Sequence, residues 1–191
     1  MSTLVSVGYF KKSLTILLLY NLLCLHFTIS AQSISTVNFV GLNGSKINLG
    51  SYCGKKIIII AFDAGNPDKK QLKSFDTLYR KSNKNIVVIG IPVNDFGSPM
   101  PTIALLSLLK DSLNISYPIA AISKGKKGVG QHPLMRWLTT LSKTNHFNNI
   151  DLEKAGEVFL ISTHGVLYGV LPMGLPLSSS FAHTVLNSNP R

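Results

Sequence analysis

Apolar residues fall in runs whose spacing changes along the chain, and each change of spacing marks an element. Residues 37–48 alternate apolar and polar on either side of Asn43-Gly44, a pair that accepts positive φ at low cost, so a short hairpin is expected. Lys56–Phe62 is apolar on both faces, as in a central strand covered from each side. Pro67 suits the first turn of a helix. Leu72, Phe75, Leu78 and Tyr79 then share one apolar face, leaving Lys69, Lys70, Lys73 and Arg80 to solvent. Ile86–Ile91 repeats the doubly apolar pattern and stops at Pro92. Strand, helix and strand with short connections predict a crossover unit and a parallel pair.

After a turn-rich stretch, Asn94–Pro99, the spacing predicts a helix over Thr102–Leu113. Lys124–Gly130 reads as a mobile basic loop, and Pro133–Leu141 as a short helix carrying Leu134, Trp137, Leu138 and Leu141 toward the core. Glu157–Ile161 and Val166–Val170 flank Ser162-Thr163-His164-Gly165, too short a link for anything but an antiparallel pair. A terminal helix over Leu177–Leu186 closes the chain. This order makes an α/β domain: a central mixed sheet with an N-terminal hairpin and helices on both faces, the thioredoxin-like arrangement.

The first residues follow another rule. Lys11-Lys12 precede an apolar run from Leu14 to Ile29 that ends at Ser30-Ala31, the layout of a cleaved secretory signal over residues 1–31. Asn21 and His26 interrupt the run, which makes a poor permanent span, although an uncleaved anchor is the alternative. The expectation is a mature domain over 32–191, exported to a periplasm or the medium and not integral to the membrane.

Composition narrows the class. The 191 residues, 45% hydrophobic and 14% charged, suffice for one domain with a core and exclude a disordered chain. Net charge is 19 − 8 = +11; loss of Lys11 and Lys12 with the leader leaves 17 − 8 = +9. Lys124, Lys126 and Lys127 concentrate part of that charge and suit an anionic surface. No aromatic residues interleave with them, so no nucleic acid is expected. The two cysteines, Cys24 and Cys53, form no metal-ligand spacing with histidines, and neither metal nor cofactor is expected. Without the leader, Cys53 is the sole thiol.

Four segments carry a family resemblance. Ile91-Pro92-Val93-Asn94-Asp95-Phe96-Gly97 is similar to the F-P-C-N-Q-F-G strand end of glutathione peroxidases. His132-Pro133-Leu134-Met135-Arg136-Trp137-Leu138 resembles their H-P-L-x-K-W/F-L helix start, and Phe159–Val166 their F-L-I/V-D-x-x-G-x-V hairpin. Asn43-Gly44, with Leu49, Tyr52, Gly54 and Lys55 after it, resembles their D-G…L-S-x-Y-x-G-K segment. The resemblance implies a thioredoxin-like fold and reduction of hydroperoxides by a cysteine or selenocysteine at the N-terminus of the first crossover helix. A thiol must ionise to attack the O–O bond, and a helix N-terminus favours that.

Carried over residue by residue, the resemblance puts Ala64 at the nucleophile, within Ala61-Phe62-Asp63-Ala64-Gly65. It puts Pro99 at the helper glutamine, Lys154 and Ala155 at the Trp-Asn pair, and Val93 at a resolving cysteine. No cysteine follows Cys53 at all. The implied protein is a degenerate member that has lost peroxidase activity and acts as a binding or structural module. The alternative is a thiol-dependent peroxidase or oxidoreductase of the oxidative-stress response that uses Cys53 or another site. Lys55 and Lys56 beside Cys53 would then favour a thiolate, whereas an idle thiol is the plainer reading. Asp63 either binds a ligand at its strand end or caps the following turn. His132 caps or packs against the helix start, His146 and His164 sit in turns, and Trp137 belongs to the core.

Overall fold

The computed structural model describes residues 33–82, 85–141, 150–172, 174, 184, 186–188 and 190. The expected leader, His146 and nearly all of the expected terminal helix lie outside them. After a single 3₁₀ turn, Ile34–Thr36, comes the hairpin of β1 (Asn38–Val40) and β2 (Lys46–Asn48), with Phe39 opposite Ile47. Its loop turns where expected. Gly44 has φ +79°, and the Asn43 carboxamide oxygen accepts from the Ser45 amide at 3.1 Å.

A second 3₁₀ turn, Leu49–Tyr52, leads into β3 (Lys56–Asp63). β3 pairs in parallel with β4 (Ile86–Val93) and antiparallel with β5 (Glu157–Ile161), and β6 (Leu167–Leu171) pairs with β5, giving the order β4-β3-β5-β6. β6 starts one residue later than its hydrophobic run, and the register shifts between Leu160 and Ile161.

The doubly apolar strands serve two cores. Ile57, Ile59 and Ala61 face one with the hairpin's Phe39 and Ile47, and with Leu134, Trp137 and Leu138 of the later helix. Ile58, Ile60 and Phe62 face the other with Leu72, Phe75, Leu105 and Leu109. Helices therefore cover both faces, and the period of two explains why no position of β3 before Asp63 tolerates water.

The crossover helix α1 is Lys69–Ser82, starting two residues after Pro67 because Asp68 caps it: the Asp68 carboxylate accepts from the Gln71 amide at 2.9 Å. The helix also buries a carboxylate that its apolar spacing conceals. Asp76, 4% exposed, accepts from the Ser116 amide and hydroxyl, each at 2.7 Å, and from Arg80 at 2.6 Å. Helix α2 (Thr102–Ser107) passes into a π turn, Leu108–Ser112, and α3 (Pro133–Arg136) into another, Trp137–Leu141.

The outer edge of β4 is covered by residues 118–123. Gly90 donates to Pro118 at 2.9 Å and accepts from Ala120 at 2.8 Å, while Ala121 donates to Val40 of the hairpin at 2.8 Å. The 124–130 loop, expected to be mobile, is instead anchored. The Asp95 carboxylate accepts from the Gly125 amide at 2.5 Å, and that of Asp151 from the Lys127 amide at 2.9 Å. Lysine content alone hid those two acids, which lie elsewhere in the chain. Among the described residues, no helix is long and apolar enough to cross a membrane.

Candidate functional site

Six positions singled out by the sequence border one end of the sheet, where β3 finishes. Asp63 ends the strand opposite Val93, and Ala64 follows, fully buried. The Ala64 amide donates to the Val93 carbonyl at 2.9 Å, and the Ala64 carbonyl accepts from the Met100 amide at 3.2 Å, which puts exposed Pro99 one residue away. The Gly156 amide donates to the Ala61 carbonyl at 2.5 Å, and the Gly156 carbonyl accepts from the Gln71 carboxamide at 2.8 Å. That pair of bonds brings exposed Lys154 and half-buried Ala155 to the same end, between β3 and the first turn of α1.

The chemistry available there is sparse. Ala64 offers a methyl group and Pro99 a ring without a donor. Asp63 acts as a cap: its carboxylate accepts from the Gly65 amide at 2.8 Å. A Cβ on Gly65 would come within 2.4 Å of the Ser98 carbonyl, so the 94–101 loop closes tightly over this turn. Glu157, opposite Ala61, accepts from the Lys154 amide at 3.3 Å, and burial raises its carboxyl pKa above the usual range despite that bond. One oxygen of Glu157 and the carboxamide oxygen of Gln71 are buried without a hydrogen-bond partner. Sequence reasoning passed over both residues. The only signal for Glu157 was its polarity at the start of an apolar strand, and for Gln71 its polarity in the first turn of α1.

Cys53 is elsewhere. It caps the Leu49–Tyr52 turn, its amide donating to the Gly50 carbonyl at 3.2 Å, and is exposed ahead of the start of β3. At ~3.3 Å per strand residue, the length of β3 separates it from Ala64 by more than about 20 Å. Cys53 lines a hollow of about 130 Å³ with Lys55, Thr163 and His164. Lys56 does not serve Cys53 as its sequence position suggests. Its ammonium is 130 residues away in contacts, donating to the carbonyls of Leu186 and, at 2.8 Å, Ser188, about 5.9 Å over the Tyr168 ring. Burial of Lys56 lowers its pKa.

His132 is a helix cap. Its Nδ1 accepts from the Leu134 amide at 3.2 Å, its ring meets Phe39 edge-on at 4.9 Å, and burial pushes its pKa down to about 4. Trp137 is buried in the hairpin-side core and His164 is exposed in its turn. Lys124, Lys126 and Lys127 are exposed, with the Lys126 ammonium 4.8 Å over the Phe96 ring. Among the described residues, no three His, Cys, Asp or Glu side chains cluster as metal ligands.

No protein-family model matches the chain, and the search of curated proteins gave no match. Solved structures do match in fold. T. cruzi GPX1 is 19% identical with a TM-score of 0.61, covering 81% of this chain and 95% of its own. Trgpx in its apo form is 18% identical with a TM-score of 0.59, covering 83% and 99%. A secreted Mycobacterium tuberculosis disulfide oxidoreductase homologous to E. coli DsbE is 12% identical with a TM-score of 0.52, covering 78% and 92%. The fold is thioredoxin-like, as the order of elements predicts.

Proposed function

We propose that this protein is an exported, glutathione-peroxidase-like domain that has lost peroxide reduction and works by binding. The observation that carries the reading is the side chain at the end of β3: Ala64, a buried methyl where the resemblance calls for sulfur or selenium. Pro99, Lys154 and Ala155 border the same strand end and supply none of the side-chain amide or indole donors that would hold a thiolate or a leaving hydroxide. Export rests on the signal-like residues 1–31. The fold shared with a secreted oxidoreductase is compatible with it.

A second reading keeps a thiol-dependent enzyme, with Cys53 as its nucleophile. It is favoured by one observation, the small hollow that Cys53 lines together with Lys55 and His164. The assay that separates the two is hydrogen-peroxide-dependent oxidation of reduced thioredoxin or glutathione by the purified protein. No turnover above the uncatalysed rate is expected. Turnover that disappears in Cys53→Ala would replace the first reading with the second.

A further inference from the structure

A larger hollow, of about 350 Å³, is walled by the hairpin, the Leu49–Tyr52 turn, the end of α1, the α2 π turn and residues 116–119. Tyr52 precedes β3 and Tyr79 lies in the last turn of α1 ahead of β4, so this space lies toward the sheet end remote from Ala64. Its lining has two charged residues, Lys46 and Lys110, and no carboxylate. Lys46 is exposed on β2. Lys110 is held by its ammonium, which donates to the Ile115 carbonyl at 2.8 Å, and partial burial lowers its pKa. Asp76, behind this wall, accepts from Ser116 and pairs with Arg80, and its charge also acts on Lys110.

Aromatic groups face the same space. Tyr79 and Tyr117 meet edge-to-face at 6.2 Å and 77°, and the Tyr52 phenol is close enough to Tyr79 to feel it electrostatically. The Tyr117 ring is fully buried, and Leu106 and Ile119 add apolar surface. The volume sits at the small end of the ~300–1,000 Å³ typical of small-molecule sites. A π turn such as the one carrying Lys110 is often found at functional sites.

We propose that this hollow binds a small planar anion, an aryl carboxylate or sulfonate, its ring against Tyr52 and Tyr79 and its acid group toward Lys46 and Lys110. A cation would confront two ammonium groups, whereas an anion would be attracted by both. A folded polymer or an extended polyanion would not fit within such a volume. The site shares no residue with the Ala64 end and stands or falls apart from the peroxidase reading.

The probe is 2-naphthoate, compared with neutral 2-naphthalenemethanol and cationic 2-naphthylmethylammonium. Each is titrated into the purified protein by calorimetry and followed by amide chemical shifts. The anion is expected to bind at least about tenfold more tightly than either analogue, with shifts at Ile47, Ser116 and Ile119 and none at Ala64. Lys46→Gln should weaken it severalfold, and Leu106→Trp, which fills the space, should abolish it. Equal affinity for the three probes, shifts confined to other surfaces, or no binding at millimolar probe would overturn the proposal. Should Leu106→Trp fail to fold, the charge series and Lys46→Gln decide the matter alone.

Discussion

Burial keeps the His132 imidazole neutral, and that sets a pH dependence. Its folded pKa, about 4, lies below the 6.5 of a free imidazole, so between those limits the unfolded chain carries the extra proton. The contribution is whole above about pH 6.5 and is lost as pH falls toward 4, by roughly 3 kcal/mol. Glu157, whose pKa burial raises, acts in the opposite sense, so the comparison must be between variants. Urea midpoints from pH 7.5 to 4.5 should fall more steeply for the native protein than for His132→Asn, which keeps a capping oxygen. Parallel curves would mean that His132 is not the titrating group. The capping role was legible in His132-Pro133, since proline at the first helical position points to a cap before it. The burial was not, because Phe39 reaches the ring from 93 residues earlier.

At the scale of elements, β4 depends on one missing side chain. A Cβ on Gly90 would meet Ile119 at 2.7 Å, Phe62 at 3.1 Å and Tyr117 at 3.2 Å. The shortest contact is the tip of the Ile119 side chain, which must swing away, while the two rings, fixed in the core, must each give by a few tenths of an ångström. Gly90→Ala should cost about 1–3 kcal/mol by denaturant unfolding. It should also speed amide exchange at Ala120, whose hydrogen bond ends on Gly90. A change under about half a kcal/mol would show that residues 118–123 yield freely. Periodicity located the strands and helices because each face of each element meets a single environment. It did not reveal the π turns after α2 and α3, where apolar spacing stays helical while the hydrogen bonds lengthen by a residue. Nor did it reveal Asp76, although its position four residues after Leu72 and four before Arg80 was the available signal.

Taken as a whole, the molecule separates the Ala64 end of the sheet from its hollows. Ala64 stands at one end of β3, and Cys53 and both hollows lie at or toward the other. The first half of this arrangement was legible, since a strand of known length lies between the two residues. The larger hollow was not, because Lys46, Tyr52, Tyr79 and Lys110 come from four separate segments that only the packed chain assembles. With Cys53 exposed and no later cysteine, dithiothreitol should shift the melting temperature of a chain lacking residues 1–31 by less than about 1 °C. A larger drop would reveal a covalent link between chains that contributes to stability.

The strand that serves two cores at once has a cost before those cores exist. Ile57-Ile58-Ile59-Ile60 has no polar face to turn outward, and until β4 and β5 flank it such a stretch is a template for intermolecular pairing. Recovery of soluble monomer on dilution from urea should therefore decline as chain concentration rises through the micromolar range. Light scattering would register the loss, and replacing Ile58 by lysine should diminish that scattering while forfeiting the native state.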